Sequence, residues 1–284
     1  MRVGFVGQRD NPTAVSLVGE IVGHLPEDVE AVVDDTTREA FRRRDRDGGP
    51  APIPGSIAVE ELSGCDLAVS VGGDGTFLYA ARGAGSTPIM GVNLGEVGFL
   101  NAVVPEEAVE TVTGEVRHIR ETGRARTREM PRLRAETDDW ALPPAVNEVV
   151  VQGPQRGHGR GIDLEVRVDG SVYTSGHADG TLVATTAGST AYNLSEGGPL
   201  VHPEVTGFVV TEMCVDAGMP PLVVGPDADI TVEAGNADHA VAISDGRVRR
   251  KTATPGTIRV SRADAPVRIA GPPLDFFAAL DKLG

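Results

Sequence analysis

Leu67-Ala68-Val69-Ser70-Val71-Gly72-Gly73-Asp74-Gly75-Thr76 decides the fold. Residues 67–71 form a nearly continuous apolar run, the pattern of a strand buried on both faces in a parallel sheet. The run delivers the chain into a glycine-rich turn, and a helix is expected to follow over 77–82. Ligands of such sheets bind beyond the carboxyl ends of the strands. Gly72, Gly73, Gly75 and Thr76 therefore stand where backbone N–H groups can face phosphate oxygens at a helix start, with Asp74 as the one charged group among them. A carboxylate beside bound phosphates is electrostatically costly. It makes sense there as the acceptor of a proton from an attacking hydroxyl or as a ligand for Mg²⁺.

Outward from this turn the chain alternates as a doubly wound α/β layer does. Residues 2–6 read as a strand, Asn11-Pro12-Thr13 can cap a helix, and Val15, Leu17, Val18, Ile21, Val22 and Leu25 give it an apolar stripe. Residues 29–33 read as a second strand. The stretch 35–57, with the charged run 42–47 followed by glycines and prolines, is expected to be a mobile loop. Residues 89–93 then read as a strand and 105–113 as a helix.

From about residue 115 short strands take over, expected at 124–136, 145–151, 162–168, 182–185, 230–233, 241–244, 257–260 and 267–269. Asp169-Gly170 and Asp245-Gly246 mark hairpins. The spacing at 274–280 is helical and fits a segment that packs back on the first part. The expected division is an α/β domain over 1–114, a mostly β domain over 115–270, and a returning helix over 271–284.

The chain has 284 residues, 26 basic and 41 acidic, for a net charge of −15. Such an excess of acid argues against a surface that tracks nucleic-acid phosphates. Of the basic residues only Lys251 and Lys282 are lysines. An acidic, lysine-poor surface suits a halophile's multimolar salt, where a Debye length of ~3 Å screens self-repulsion; high genomic GC is the alternative source of the bias. No run of 18 apolar residues is present, and no secretory leader is legible, so a soluble cytoplasmic protein is expected. Cys65 and Cys214 are too few for a disulfide framework or a paired-ligand zinc site. The absence of Gly-Lys-Ser/Thr excludes a Walker cradle.

Two further segments carry chemistry. Asn147-Glu148 pairs an amide with a carboxylate, donor and acceptor groups suited to sugar hydroxyls. Residues 179–199 hold a dense polar string in which Gly188-Ser189-Thr190 are small enough to leave room for a flat ligand. Tyr192 adds a π face, and Gly197-Gly198-Pro199 closes the segment. A serine nucleophile elbow is not formed, because Asn193-Leu194-Ser195-Glu196-Gly197 lacks its first glycine.

Taken in order, Gly72–Thr76, the segment 91–100 (Gly-Val-Asn-Leu-Gly-Glu-Val-Gly-Phe-Leu), Asn147-Glu148, residues 179–199, Asp245-Gly246 and the tail from Phe276 resemble the NAD kinases of the ATP or polyphosphate type. The first motif is shared with lipid and sugar kinases of the same superfamily, which remain the nearest alternative; a non-catalytic dinucleotide sensor is another. The resemblance implies a Rossmann-like α/β domain with a β-sandwich domain, assembled as a homodimer or homotetramer. It implies phosphoryl transfer from ATP or polyphosphate, with Mg²⁺, to the 2′-hydroxyl of the adenosine ribose of NAD.

By the same resemblance Asp74 is the general base and Gly75 lies against the dinucleotide. Asn147 and Glu148 contact its sugars or adenine, Asp179 its nicotinamide end, and Thr190, Ala191, Tyr192 and Ser195 the adenosine. Arg160, or else His158, takes a basic position, and His177 stands where relatives carry arginine. Two departures stand out: Thr186-Ala187 replaces a Pro-Thr of relatives, losing a rigid ring and a hydroxyl, and Tyr79 replaces a basic residue.

Overall fold

The computed structural model describes residues 1–46, 54–95, 98–157, 160–215 and 218–281. The chain forms two compact units, one of Met1–Met130 with Val267–Gly284, the other of Pro131–Pro266. The first unit thus extends beyond the expected limit of 114 and regains the chain before 271. Two elements explain the difference: a helix that continues to Thr122, and a strand at Thr127–Met130 that pairs with Val267–Ala270.

The first unit contains β1 (Arg2–Gly7), α1 (Pro12–Gly23), β2 (Glu30–Asp34), α2 (Asp35–Arg46), β3 (Gly55–Ile57), β4 (Leu67–Gly72), α3 (Asp74–Ala84), β5 (Ile89–Asn93), α4 (Ala108–Thr122) and β6 (Thr127–Met130). The second contains β7 (Leu133–Glu136), β8 (Glu148–Gln152), β9 (Ile162–Val168), β10 (Ser171–Ala178), β11 (Gly180–Thr185), α5 (Tyr192–Ser195), β12 (Phe208–Met213), β13 (Leu222–Val224), β14 (Ile230–Gly235), β15 (His239–Ser244), β16 (Val248–Ala253) and β17 (Gly256–Arg262). The chain then returns to the first unit with β18 (Val267–Ala270) and α6 (Phe276–Leu280).

The first unit's sheet has the order β3-β2-β1-β4-β5-β18-β6 and is parallel except for β6. β4 sits near its centre and is buried at every position, as its unbroken apolar run requires. Helices α1 and α4 lay Ala14, Val18, Ile21, Val112 and Val116 on a core with Val3, Phe5, Val69 and Val92. Asn11 caps α1 as expected, its Oδ1 accepting from Thr13 N at 3.0 Å. The returning helix α6 packs on this unit, where the Phe276 ring meets Phe99 edge-on.

Residues 35–46, expected in a mobile loop, form α2 instead, and 55–57 form β3. Asp34 is nearly solvent-free, and its carboxylate accepts from Thr36 N and Thr37 N, so it caps the first turn. Phe41 anchors the helix in the core, and Thr37 Oγ1 accepts from Gly7 N at 2.8 Å. The segment 47–53 lies outside the described residues. The expected helix at 105–113 starts with a 3₁₀ turn at Pro105–Glu107 and runs on as α4. The single strand expected over 124–136 is two, broken at Pro131, which has no N–H for the ladder.

The second unit is a sandwich of two antiparallel sheets, β10-β9-β14-β17-β7 and β13-β12-β11-β8-β15-β16. Ile162, Leu164 and Val166 from β9 meet Val149, Val151 and Val183 from β8 and β11 in its core. The opposite face of the six-stranded sheet is also covered. Val150, Leu182, Ala184 and Ile243 pack there with Val201 and Tyr192 from the polar segment that follows β11. Burial on both faces is why β8 and β11 read as unbroken apolar runs.

Candidate active site

Gly72 ends β4 and Gly73 is the extended residue that precedes α3. Neither adopts a left-handed conformation. Gly72 is demanded by space, since a Cβ there would lie 2.8 Å from that of Gln8 and against the Thr76 hydroxyl. Gly75 is exposed on the first turn of α3, and Asp74 and Thr76 are half-buried beside it.

The Asp74 carboxylate is held by three donors of one loop: Phe99 N to Oδ2 at 3.0 Å, Leu100 N to Oδ1 at 3.1 Å and Asn101 Nδ2 to Oδ1 at 3.0 Å. Burial pushes its pKa above the usual carboxylate range, while these three bonds pull the other way. The cradle is itself fixed. Asn101 is buried, and Ser70 Oγ donates to its Oδ1 at 3.2 Å. Gly91 leaves it room, since a Cβ there would run into the Asn101 side chain. Asn101 directly follows the motif at 91–100, yet nothing in its residue type marks it as part of the site.

In the second unit Asn147 and Glu148 stand at the start of β8, both buried. Glu148 shares a face with Val150, two residues on, and so lies on the side covered by the Tyr192 segment. Asp245 sets the pair's backbone. It adopts a left-handed conformation followed by Gly246 in the β15–β16 hairpin, and its carboxylate accepts from Val146 N, Asn147 N and Glu148 N at 3.0, 2.8 and 3.3 Å. With the backbone so engaged, two side-chain acceptors are left over. Asn147 Oδ1 and Glu148 Oε2 are buried and have no hydrogen-bond partner. Burial first, and the Asp245 charge second, push the Glu148 carboxyl up to about 7, against a backbone hydrogen bond from Tyr192 that lowers it.

The segment after β11 folds around Asn147. Thr185 N donates to Asn147 O at 2.8 Å and Thr185 Oγ1 to Val146 O at 2.6 Å. Gly188 packs on the Asn147 backbone, 2.9 Å from its Cα to where a Cβ would stand, and Ser189 Oγ exchanges hydrogen bonds with Val201. Both small residues are thus occupied by the protein's own chain, which is where the room expected for a flat ligand goes. Thr190 Oγ1 donates to Ala187 O, Ala191 is half-buried, and Ser195 is exposed. Asn193, noted in the sequence only as part of the incomplete nucleophile elbow, is fully buried and ties the segment to Thr211 at 2.8 Å.

Arg156 is a further residue that sequence reasoning missed. Its guanidinium lies 5.6 Å over the Tyr192 ring and donates to Tyr192 Oη at 2.6 Å. Burial and Glu196 push the Tyr192 hydroxyl up to about 12, so it stays protonated at neutral pH. In the same loop Gly157 N donates to Asp179 Oδ1 at 2.9 Å, which holds Asp179, itself buried, to the 153–157 turn.

His177 and Arg160 go elsewhere. His177 Nδ1 lies 2.7 Å from Asp163 Oδ1 and Nε2 lies 3.0 Å from Arg160 O, and the Asp163 contact raises the imidazole's pKa. His177 lines a cavity of about 640 Å³ with Asp163, Glu165 and Glu233. Those carboxylates disfavour a phosphate. The Arg160 guanidinium donates to Gln155 at 2.5 Å. His158, the other basic residue considered, lies outside the described residues.

The chain matches the ATP-NAD kinase N-terminal domain over residues 3–118 and the ATP-NAD kinase C-terminal domain over 146–271. It is 62% identical to an NAD kinase of the halophilic archaeon Haloarcula marismortui, covering the whole of both chains. It is 31% identical to one of Methanosarcina acetivorans, over 94% of this chain and 92% of that one. Among solved structures, an NAD kinase from Archaeoglobus fulgidus in complex with ATP matches with a TM-score of 0.75 at 27% identity over the whole of both chains. Yeast NADH kinase complexed with NADH shares the fold, with a TM-score of 0.83 at 23% identity over all of this chain and 87% of that one. A halophilic origin fits these relatives and the acidic, lysine-poor composition. Full-length identity and both matched domains agree with the motifs read from the sequence: the chain belongs to the NAD kinase family and is a kinase whose acceptor is NAD.

Proposed function

We propose that this enzyme transfers the terminal phosphoryl group of ATP or polyphosphate to the 2′-hydroxyl of the adenosine ribose of NAD, with Asp74 as the general base. A ribose hydroxyl is a weak nucleophile at neutral pH. As its oxygen forms the new bond to phosphorus, the bond from phosphorus to the donor's bridging oxygen breaks and the hydroxyl proton passes to the Asp74 carboxylate. Such base help contributes about 10²–10⁴-fold. The three donors on Asp74 favour its ionised form, the state in which it accepts a proton, against the burial that raises its pKa.

In the second unit the observation that carries the reading is the adjacent pair of buried, unpartnered acceptors, Asn147 Oδ1 and Glu148 Oε2. A buried acceptor without a donor costs about 1–3 kcal/mol, and hydroxyl or amino groups of the adenosine would supply the donors. Tyr192, made rigid by Arg156, offers an aromatic face, with Thr190, Ala191 and Ser195 around it. Asp179 takes the nicotinamide end. The geometry gives no such support to His177, both of whose ring nitrogens are engaged by Asp163 and Arg160 O, and Arg160 is drawn by Gln155 within its own loop.

No group of three or more His, Cys, Asp or Glu among the described residues is arranged to hold a metal. The divalent cation in this reading enters with the phosphates of the donor, as magnesium commonly does. Self-association as a dimer or tetramer belongs to the same proposal and rests on the family resemblance. No described helix is long and apolar enough to cross a membrane, and we place the enzyme in the cytoplasm, whose salt its acidic surface suits.

The test is Asp74→Asn, assayed for NADP formation with each donor in multimolar KCl. Turnover is expected to fall by orders of magnitude while NAD affinity, measured by calorimetry, stays within a few-fold. Full turnover would remove Asp74 from proton transfer.

A further inference from the structure

We infer that Phe276, on the helix that returns to the first unit, is a positioning residue for Asp74, acting through Phe99. The inference rests on the reading of Asp74 as the base. Two of the three donors that orient its carboxylate are the backbone N–H groups of Phe99 and Leu100, so the carboxylate's placement depends on how that loop is held. Neither residue belongs to a helix or strand, and no ladder fixes their backbone. Leu100 is anchored by its own burial.

Phe99, the residue whose N–H reaches Asp74 Oδ2 at 3.0 Å, has its ring set edge-on against Phe276, centroids 6.1 Å apart and planes at 61°. This is the favoured geometry of an aromatic pair. Phe276 is buried, and its own place is set from two sides. The Asp275 carboxylate caps α6 by accepting from Ala278 N at 3.0 Å, and Phe277 meets the Phe276 ring at 5.7 Å. A chain of contact thus runs from the cap of α6 through two rings to the carboxylate oxygen.

The chemical consequence follows from what those N–H groups do. They favour the ionised carboxylate, against burial. Loosening Phe99 withdraws one donor, which moves the carboxyl's pKa further up and leaves its oxygen less well aimed. The substrate-holding groups of the second unit are untouched, so the effect falls on kcat and not on the KM for NAD.

The experiment compares Phe276→Ala, Phe276→Leu and Phe276→Tyr with the parent and with Asp74→Asn, at a temperature where circular dichroism shows each folded. Phe276→Ala is expected to lower kcat about ten-fold, to leave the KM for NAD within about two-fold, and to move the acidic limb of the kcat–pH profile upward by about half a pH unit or more. Amide hydrogen exchange at Phe99 and Leu100 should quicken. Phe276→Tyr, which keeps the ring, should restore kcat and the limb. Phe276→Leu, which keeps apolar bulk without a ring edge, should fall between and serves if the alanine variant does not fold. An unmoved acidic limb in a folded Phe276→Ala or Phe276→Leu protein overturns the inference, whatever happens to stability. If Asp74→Asn turns over normally, the reading of Asp74 fails and this inference with it; if that variant is inactive while Phe276→Ala and Phe276→Leu both behave as the parent, only the inference fails.

Discussion

Replacing Glu148 with glutamine should make the protein more stable and a worse enzyme. The Glu148 carboxyl is buried, lies near the Asp245 charge, and has one oxygen without a partner, which together raise its pKa from the usual 4.5 to about 7. The folded state therefore keeps the proton to a higher pH than the unfolded state. The sign follows: as pH rises from about 4.5 to about 7 the unfolded chain releases this proton first, and the folded state loses stability relative to it. At about 1.4 kcal/mol per pH unit, the displacement of about 2.5 amounts to roughly 3 kcal/mol, fully felt above pH 7.

Glutamine cannot ionise, and its Oε1 can still accept from the Tyr192 backbone. Glu148→Gln should match the parent to within about 1 kcal/mol near pH 4.5 and exceed it by roughly 3 kcal/mol near pH 8. For a chain of this size that is a rise in Tm of roughly 6–12 °C. Thermal melts followed by circular dichroism across this pH range, in multimolar KCl and without NAD, measure it. The same variant should raise the KM for NAD about 10–100-fold, since a charge-assisted acceptor of a substrate hydroxyl is lost. A Glu148→Gln protein no more stable than the parent at pH 8, or one with the parent's slope between pH 4.5 and 7, would refute the claim that the carboxylate is held there at a cost. The expected result is an instance of function opposing stability at a binding site.

Two other substitutions probe the second unit. Asp245→Ala leaves the N–H groups of Val146, Asn147 and Glu148 without their acceptor and should cost about 3 kcal/mol in urea unfolding, with a raised KM for NAD. A loss below about 1 kcal/mol would show those N–H groups find other partners. Tyr192→Ala removes the ring beneath Arg156 and should raise the KM for NAD with little change in kcat, read from initial rates. An unchanged KM would take Tyr192 out of the pocket.

Where the sequence was legible, a side chain announced its own job. The run 67–71 entering Gly72-Gly73-Asp74 gave the parallel strand, the turn and the candidate base, and Asn147-Glu148 gave the paired acceptors. The helix α2 was hidden because its arginines mask a single buried ring, Phe41, and because its cap, Asp34, belongs to the preceding strand. β16 was missed because an edge strand with exposed Arg249, Arg250 and Lys251 has no apolar alternation.

In the site, what escaped were partners distant along the chain. Asp245 organises residues 97 to 99 positions away. Phe99 and Leu100 act through backbone N–H groups, which leave no mark in a sequence. Burial of Glu148, and hence its raised pKa, exists only once β11 and the Tyr192 segment have covered it. The contacts that hold the Asn147 backbone come from Thr185 and Gly188, on either side of the Thr186-Ala187 departure.

The path of the chain through the first sheet also governs the order in which the molecule can form. β18 lies between β5 and β6 but is made only after the whole of 131–266 has been synthesised. The sandwich is continuous in sequence and can condense as it emerges. The α/β unit, begun first, waits with β5 and β6 unjoined until its late strand arrives. Synthesis normally lets the N-terminal domain fold ahead of the next; here the inserted unit is complete in sequence before the first one is, and a chain that stalls before β18 cannot complete the sheet that carries Asp74.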